Sequence, residues 1–238
     1  MISFTNVTKL YGETHALSDV SVTIPDGDFV FLIGPSGAGK TTFLKLLTRE
    51  MTPTSGEIML DDWNVNTLPF SSIHLLRRKV GVVFQDFKLL SDRTVFENVA
   101  LALEILGKEA HEITRDVDKV LELVGLSTKK YLFPQQLSAG ELQRTSIART
   151  IVGGPKVLLA DEPTGNLDPE TSWEILDILE EIHAIGTTII MATHNASIVN
   201  ELKKRTITLE HGEIVSDEAR GRYHIHKKAI RRKSTKPS

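Results

Sequence analysis

Gly34, Gly39, Lys40 and Thr41 stand in the spacing G-x-x-x-x-G-K-[ST], between the apolar run Phe29–Ile33 and a helix-compatible segment, Thr42–Leu47. That order is a strand, a glycine-rich turn and a helix. Glycines let successive backbone N–H groups curl around a phosphate without side-chain clashes, and the helix start adds its positive dipole end. The residues placed around a phosphate are thus Gly34, Pro35, Ser36, Gly37, Ala38, Gly39, Lys40, Thr41 and Thr42. In such a loop Lys40 supplies a point charge to β- and γ-phosphates, and the Thr41 hydroxyl a ligand to Mg2+.

A second apolar run, Val157–Ala160, ends in Asp161 and Glu162. Asp161 can hold a Mg2+-bound water beside Thr41. Glu162, one residue on, faces another direction and can orient or deprotonate an attacking water. Ser138 and Glu141 satisfy S-x-x-E at the start of a further helix running through Arg144 and Ile151. A capping box explains that pair physically. The same helix start, with Ser138 and Gly140 displayed, is also an anion site that could complete the pocket of a second copy packed head to tail.

Alternating strands and helices must position these groups. Ile2–Val7 and Val20–Ile24 alternate apolar and polar, which predicts strands with one buried face, and Tyr11-Gly12-Glu13 reads as loop between them. Glu57–Leu60 and Lys79–Phe84 predict further strands, the latter stopping at Gln85. From Phe87 to Gly153 the pattern turns helical: Val95, Val99, Leu103 and Leu106 make one apolar face, and Val117, Val120, Leu121 and Val124 another. Strands resume at Lys156–Asp161 and Thr187–Thr193, around a helix over 169–184 with Asp168 as N-cap and Pro169 at its first position. A hairpin around His211-Gly212 follows. Strand–helix–strand alternation predicts a parallel sheet with helices on its faces. The expected organisation is one α/β domain, 1–222, whose core (1–86 and 154–222) carries a helical lobe at 87–153.

Bulk composition fits that picture. The chain has 238 residues, 40% hydrophobic and 25% charged, and no cysteine, so it holds no disulfide and no thiolate metal site. Its apolar runs are too short to span a bilayer, and the start Met1–Thr5 has no signal-peptide core. The net charge of −3 hides an asymmetry: residues 223–238 carry six Lys or Arg and no acid, leaving 22 basic against 31 acidic residues elsewhere. An acidic body argues against a specific nucleic-acid surface, and the basic tail is expected to be disordered and solvated.

The order Gly34–Thr41, Gln85, Leu137–Glu141, Val157–Glu162, Asp168, His194 resembles the motif series of ATP-binding-cassette ATPases, across residues 1–216. Leu-Ser-x-Gly-Glu between the two phosphate-site motifs is specific to that family. The resemblance implies an α/β P-loop NTPase (RecA-like) fold with an antiparallel β subdomain and an inserted α-helical lobe, and Mg2+-dependent hydrolysis of ATP. By position, Tyr11 looks like the aromatic that stacks on adenine, and Gln85 like the residue joining Mg2+ and water to the lobe. Glu162 looks like the catalytic carboxylate, and His194 like the switch histidine on the γ-phosphate. Ser138 and Gly140 would meet the nucleotide of the opposite subunit, with Asp168 at the dimer seam. Two residues depart from the common pattern: Ala139 stands where Gly is frequent, and Asn195 where Asp is.

Within the family, Asp161–Asp168 resembles cassettes of cell division, lipoprotein release and macrolide export alike, while Phe29–Lys40, Phe84–Leu90 and Glu97–Leu103 are closer to the cell-division cassettes. That likeness implies a head-to-tail, ATP-dependent homodimer at the cytoplasmic face of the cell membrane, at the division septum. It also implies an FtsX-like permease as the membrane-embedded partner. ATPase subunits of lipoprotein-releasing or macrolide-exporting complexes are the alternative. The apolar residues Phe84, Phe87, Leu89 and Leu90 are the expected dock for a cytoplasmic helix of the partner.

Overall fold

The computed structural model describes residues 1–221; the basic tail predicted over 223–238 lies outside them. The chain opens with β1 (Ile2–Tyr11), β2 (Thr14–Ile24) and β3 (Phe29–Ile33), followed by α1 (Lys40–Leu47), β4 (Ser55–Leu60) and β5 (Trp63–Asn64). Next come α2 (Ile73–Lys79) and β6 (Val80–Val83), then α3 (Val95–Ile105), α4 (Ala110–Leu123) and α5 (Ala139–Ile151). The remainder is β7 (Val157–Asp161), α6 (Pro169–Ala184), β8 (Thr188–Ala192), α7 (Ala196–Leu202), β9 (Arg205–Glu210) and β10 (Glu213–Glu218). Between β6 and β7 the described chain carries helices and no strand.

The strands form two sheets. One is antiparallel, in the order β2-β1-β4-β5; the other runs β10-β9-β3-β8-β7-β6 and is parallel except at β10. The central strand β3 reads Phe-Val-Phe-Leu-Ile and every residue is buried, as a parallel strand covered on both faces requires. Val30 and Leu32 join Phe4, Phe43, Ile58 and Leu159 in a core between the two sheets. Phe29, Phe31 and Ile33 point the other way, into a second core with Ile175, Leu179, Val99, Leu121 and Ile147. The helical segment thus shares the core of the parallel sheet, and its apolar stripes are what bury it.

Three strand ends meet at one edge. Leu32 pairs with Ala192, and Ala192 with Asp161, so the C-terminal ends of β3, β8 and β7 lie in one row. In open parallel sheets this is where ligands bind.

The predicted helix 169–184 and its Asp168 cap are found as expected. Tyr11 is the last residue of β1, where the sequence suggested loop. The short helices α2 and α7 had no sequence signal: each has seven residues, too few for an apolar period to show.

Candidate functional site

The turn after β3 depends on two glycines. Gly34 has φ 148°, and a Cβ there would lie 2.1 Å from the carbonyl oxygen of Leu209. Gly39 has φ 106°, and a Cβ would come within 2.4 Å of the Ala16 carbonyl oxygen. Any side chain at either position would push the turn away from the sheet. Helix α1 starts at Lys40 behind Gly39, with no side-chain cap on its first N–H groups. Those donors are left for a ligand.

Ser36, Gly37, Ala38, Gly39, Lys40, Thr41 and Thr42 line a cavity of about 500 Å3 together with Glu162 and His194. Gly34 and Pro35 contribute carbonyls beneath it: Lys40 Nζ donates to Gly34 O at 2.7 Å and to Pro35 O at 3.1 Å. Lys40 is only 8% exposed. Burial pulls its pKa down, against the pull of Glu162 and Asp161. The ammonium is thus held close to the turn, its hydrogen bonds given to two neutral carbonyls.

Asp161 closes β7, and burial pushes its carboxyl pKa up, reinforced by the charge of Glu162 and opposed by a hydrogen bond from Thr41. A carboxylate pushed toward its neutral form beside a hydroxyl is a site that gains from a cation. Among the described residues no cluster of three or more acidic, His or Cys side chains could hold a metal alone. Thr41 and Asp161 are donors of the hard-oxygen type that fits Mg2+ shared with phosphates and water. The fit is chemically sound.

Glu162 has φ 51° and donates its N–H to Ala192 O at 3.0 Å. That left-handed backbone turns its carboxylate away from Asp161 and toward His194, whose Nδ1 stands 2.6 Å from Glu162 Oε2. Gln85 follows β6 and lines a neighbouring cavity with Thr41, Asp161, Glu162 and Asn166. Its Nε2 donates to Asn166 Oδ1 at 3.1 Å, and Asn166 Nδ2 donates back to Gln85 O at 3.3 Å.

Tyr11 stands outside the phosphate cavity, half-exposed, its hydroxyl on Met51 Sδ at 3.0 Å and the Lys9 ammonium 5.4 Å from its ring centre. It is nevertheless tied to the site. Thr14 pairs with Tyr11, and Ala16 of the same β2 strand lies against Gly39. An exposed ring face is left for stacking.

Ser138 caps α5, receiving the Glu141 N–H at 3.3 Å and giving its own N–H to Glu141 Oε2 at 2.9 Å. Gly140 is buried, and a Cβ there would meet Thr171 Cγ2 at 2.4 Å. Thr171 in turn donates to Asp168, from its N–H at 3.0 Å and its hydroxyl at 2.6 Å. The starts of α5 and α6 are therefore packed together, and neither Ser138, Gly140 nor Asp168 lines the phosphate cavity of this chain. Ala139 is exposed: within one protomer glycine is demanded at 140 and not at 139. Asn195 receives the N–H groups of Ser197 and Ile198 as the cap of α7, which Asp would do equally well.

Sequence reasoning missed two features. Asn166, Gln85's partner, lay in the turn between two recognised motifs, and nothing local marks it. The second is an apolar groove of about 840 Å3 lined by Arg49, Phe70, His74, Arg77, Ile105 and Leu106. Phe70 there is 91% exposed and Ile105 67%. Of the residues expected to dock a partner helix, Leu90 is exposed, Phe84, Phe87 and Leu89 are half-buried, and the Lys88 ammonium covers the Phe84 ring at 3.9 Å.

Comparison with known proteins places the fold and the motifs together. The family profile described as ABC transporter matches residues 17–165. The chain is 55% identical over 224 residues to the cell division ATP-binding protein FtsE of Bacillus subtilis, covering 94% of this chain and 98% of that one. With FtsE of Mycobacterium tuberculosis it shares 52% over 225 residues, 94% and 98% covered. Among solved structures, the dimeric ATP-binding cassette MJ0796 bound to ADP and phosphate superposes with a TM-score of 0.84 at 34% identity, covering 94% of this chain and all of that one. Profile, end-to-end relatives and fold agree, so this chain belongs to the ABC transporter family as one of its ATP-binding cassettes.

Proposed function

We propose that the chain is the ATP-hydrolysing subunit of an ABC-type membrane complex in cell division, with Glu162 as the group that activates water. One observation carries the reading: the 2.6 Å pairing of His194 with Glu162 at the mouth of the Lys40–Thr41 cavity. Similarity to FtsE over nearly the full length supports the cell-division role.

ATP is the substrate. Its phosphates sit against the N–H groups of residues 36–42, and Lys40 exchanges the carbonyls of Gly34 and Pro35 for phosphate oxygens. Tyr11 stacks on the adenine. Thr41, Asp161 and Gln85 are the residues that would hold Mg2+, which supplies charge neutralisation between the β- and γ-phosphates. Glu162 takes the proton of the attacking water, and His194 orients Glu162 and then the γ-phosphate. Ser138, Gly140 and Asp168 do not line this chain's own cavity, which supports their use by a second copy. Two protomers then close head to tail around two nucleotides, in line with the dimeric state of the MJ0796 cassettes. Closure is favoured because γ-phosphate charge meets oriented donors in a water-poor seam.

The partner is an FtsX-like permease, placing the cassette at the cytoplasmic face of the membrane, at the septum. No helix among the described residues is long and apolar enough to cross a bilayer. The groove of Phe70, Ile105 and Leu106 takes the partner's cytoplasmic helix. It is lined both by residues beside α2 and by residues of α3, so a bound helix touches the core and the helical segment at once.

Phosphate release from ATP by the purified chain, compared with Glu162→Gln, tests the reading. Turnover in the first and its near-loss in the second is the expected result. Equal turnover in both would overturn it.

A further inference from the structure

Arg149, near the end of α5, sends its guanidinium to two consecutive main-chain carbonyls. Nη2 donates to Phe87 O at 3.1 Å and Nη1 to Lys88 O at 2.8 Å. Both acceptors belong to the loop that follows Gln85. Both residues are left-handed, with φ 55° and 49°. That region is disfavoured for any residue with a Cβ, and two in succession persist only where the surroundings over-determine them. The loop's own backbone supplies little: Lys88 N–H reaches Asp86 O at 2.6 Å. Arg149 of α5 holds the turn at 87–88, and two residues on Asn98 of α3 clamps Leu90, accepting its N–H at 2.8 Å and donating to its carbonyl at 3.0 Å.

Arg149 is costly where it stands. Burial lowers its pKa, and no carboxylate offsets that effect. A half-buried cation bonded only to neutral carbonyls contributes less to stability than an apolar residue of its size would. What the guanidinium offers instead is geometry: a planar, rigid fork holds two acceptors in one fixed relation, where an ammonium's donors rotate freely.

The loop so held begins at Gln85, whose amide is trapped at the other end. Its Nε2 donates to Asn166 Oδ1, Asn166 Nδ2 donates to the Gln85 main-chain carbonyl, and a Cβ on Gly165 would come within 3.0 Å of Gln85 Nε2. Gln85 therefore borders Thr41, Asp161 and Glu162 in an orientation set from two sides. One side is the turn after β7, and the other is α5, the helix that Ser138 caps.

We propose that Arg149 is a positioning residue for ATP cleavage: from α5 it holds the strained turn at 87–88, and through that turn it sets the Gln85 amide beside Thr41 and Asp161. The inference rests on the ATPase reading above and deepens it. Any shift of α5 is passed to Gln85 by two hydrogen bonds, while the phosphate turn, which Arg149 does not touch, stays as it is. Arg149 thus acts on the chemical step and not on nucleotide affinity.

The test is steady-state ATP turnover by the full chain carrying Arg149→Met or Arg149→Lys, each alone and combined with Lys88→Gly. Glycine accepts φ 49° without the Cβ penalty, so it lowers the loop's need for the anchor. Arg149→Met should lower kcat by about 10–100-fold with KM for ATP nearly unchanged. Arg149→Lys, which keeps the charge and a donor, should show a smaller loss of the same kind. Adding Lys88→Gly should bring each variant to within about threefold of Lys88→Gly alone, a non-additivity expected of coupled sites. Wild-type kcat in both Arg149 variants, a rise in KM in place of a fall in kcat, or a loss that Lys88→Gly does not restore would each overturn the proposal. A wild-type chain that binds ATP without hydrolysing it would instead overturn the ATPase reading, and the role of Arg149 with it.

Discussion

His194 Nδ1 lies 2.6 Å from Glu162 Oε2, although 31 positions of sequence separate the two residues. The pairing follows from the sheet. β7 and β8 are adjacent and parallel, Asp161 pairs with Ala192, and each strand then turns outward by one or two residues. His194 is 66% exposed and Glu162 23%, so the imidazole covers the carboxylate from the solvent side. The carboxylate at the mouth of the Lys40–Thr41 cavity is thus already oriented by its pairing with His194.

Glu162→Gln keeps size and hydrogen bonding but cannot accept a proton. Turnover should fall by about 10²–10⁴-fold while ATP affinity stays within a fewfold. Dimers held by unhydrolysed ATP should then accumulate, seen as a doubling of mass in light scattering when ATP is added. A variant that stays monomeric with ATP bound would contradict the head-to-tail closure.

Lys40→Ala removes the one buried ammonium in the phosphate cavity. Nucleotide affinity should drop at least about tenfold, since a charge-assisted contact of roughly 1.5–3 kcal/mol is lost. Calorimetric titration with a non-hydrolysable ATP analogue reads this directly, and an unchanged Kd would contradict the cradle.

Asp161→Asn separates stability from function. Burial raises the Asp161 pKa, so its ionised form is a cost to the nucleotide-free fold that grows as pH rises through the folded pKa. The amide variant should melt about 2–4 °C higher at pH 7 without nucleotide, for a gain on the order of 1 kcal/mol. With ATP and Mg2+ present, the wild-type chain should gain more thermal stability than the variant does. A lower melting temperature for the nucleotide-free variant would refute the assignment.

Asp61 behaves in the opposite sense. A hydrogen bond from Lys156, on the segment leading into β7, helps hold its carboxyl at about 2, below the ordinary value of 3.8. The stability this contributes is complete well above pH 3.8 and is lost as pH falls toward 2. Asp61→Asn should cost on the order of 1–2 kcal/mol at pH 7, after allowance for partial exposure. The gap in urea midpoints between variant and wild type should narrow as pH is lowered from 5 to 3. A pH-independent gap would mean that the carboxylate's charge is not what stabilises.

Phe70→Asp or Ile105→Asp places a charge in the apolar groove without touching the phosphate cavity. ATP binding should be retained and recovery of the membrane partner from detergent extracts lost. Intact recovery with both variants would reject the groove as the docking surface.

Much of this protein could be read along the chain. Motifs of contiguous residues were legible because their chemistry is local: a phosphate turn needs its glycines, lysine and threonine within eight positions, and a helix cap needs its partner three residues away. Buried strands such as 29–33 and 157–161 announced themselves by unbroken apolar runs, and the long helices by their period. Tyr11 was misjudged as loop because the pairing with Thr14 that extends β1 lies across the hairpin. The groove was not legible because Phe70 and Ile105, 91% and 67% exposed, come from segments that give no hint of meeting.

The sequence by itself determined the set of reactive groups, their order and the ATP-binding-cassette family, since each group is carried by a short run whose local conformation its own residues dictate. Only the tertiary structure decided which of them touch: His194 with Glu162, Gln85 with Asn166, Arg149 with the carbonyls of Phe87 and Lys88. Those meetings depend on the strand order β3-β8-β7-β6 and on how α5 lies against the loop after Gln85. Such long-range arrangements are chosen by the burial of two apolar cores at once, a property of the whole chain that no local stretch contains.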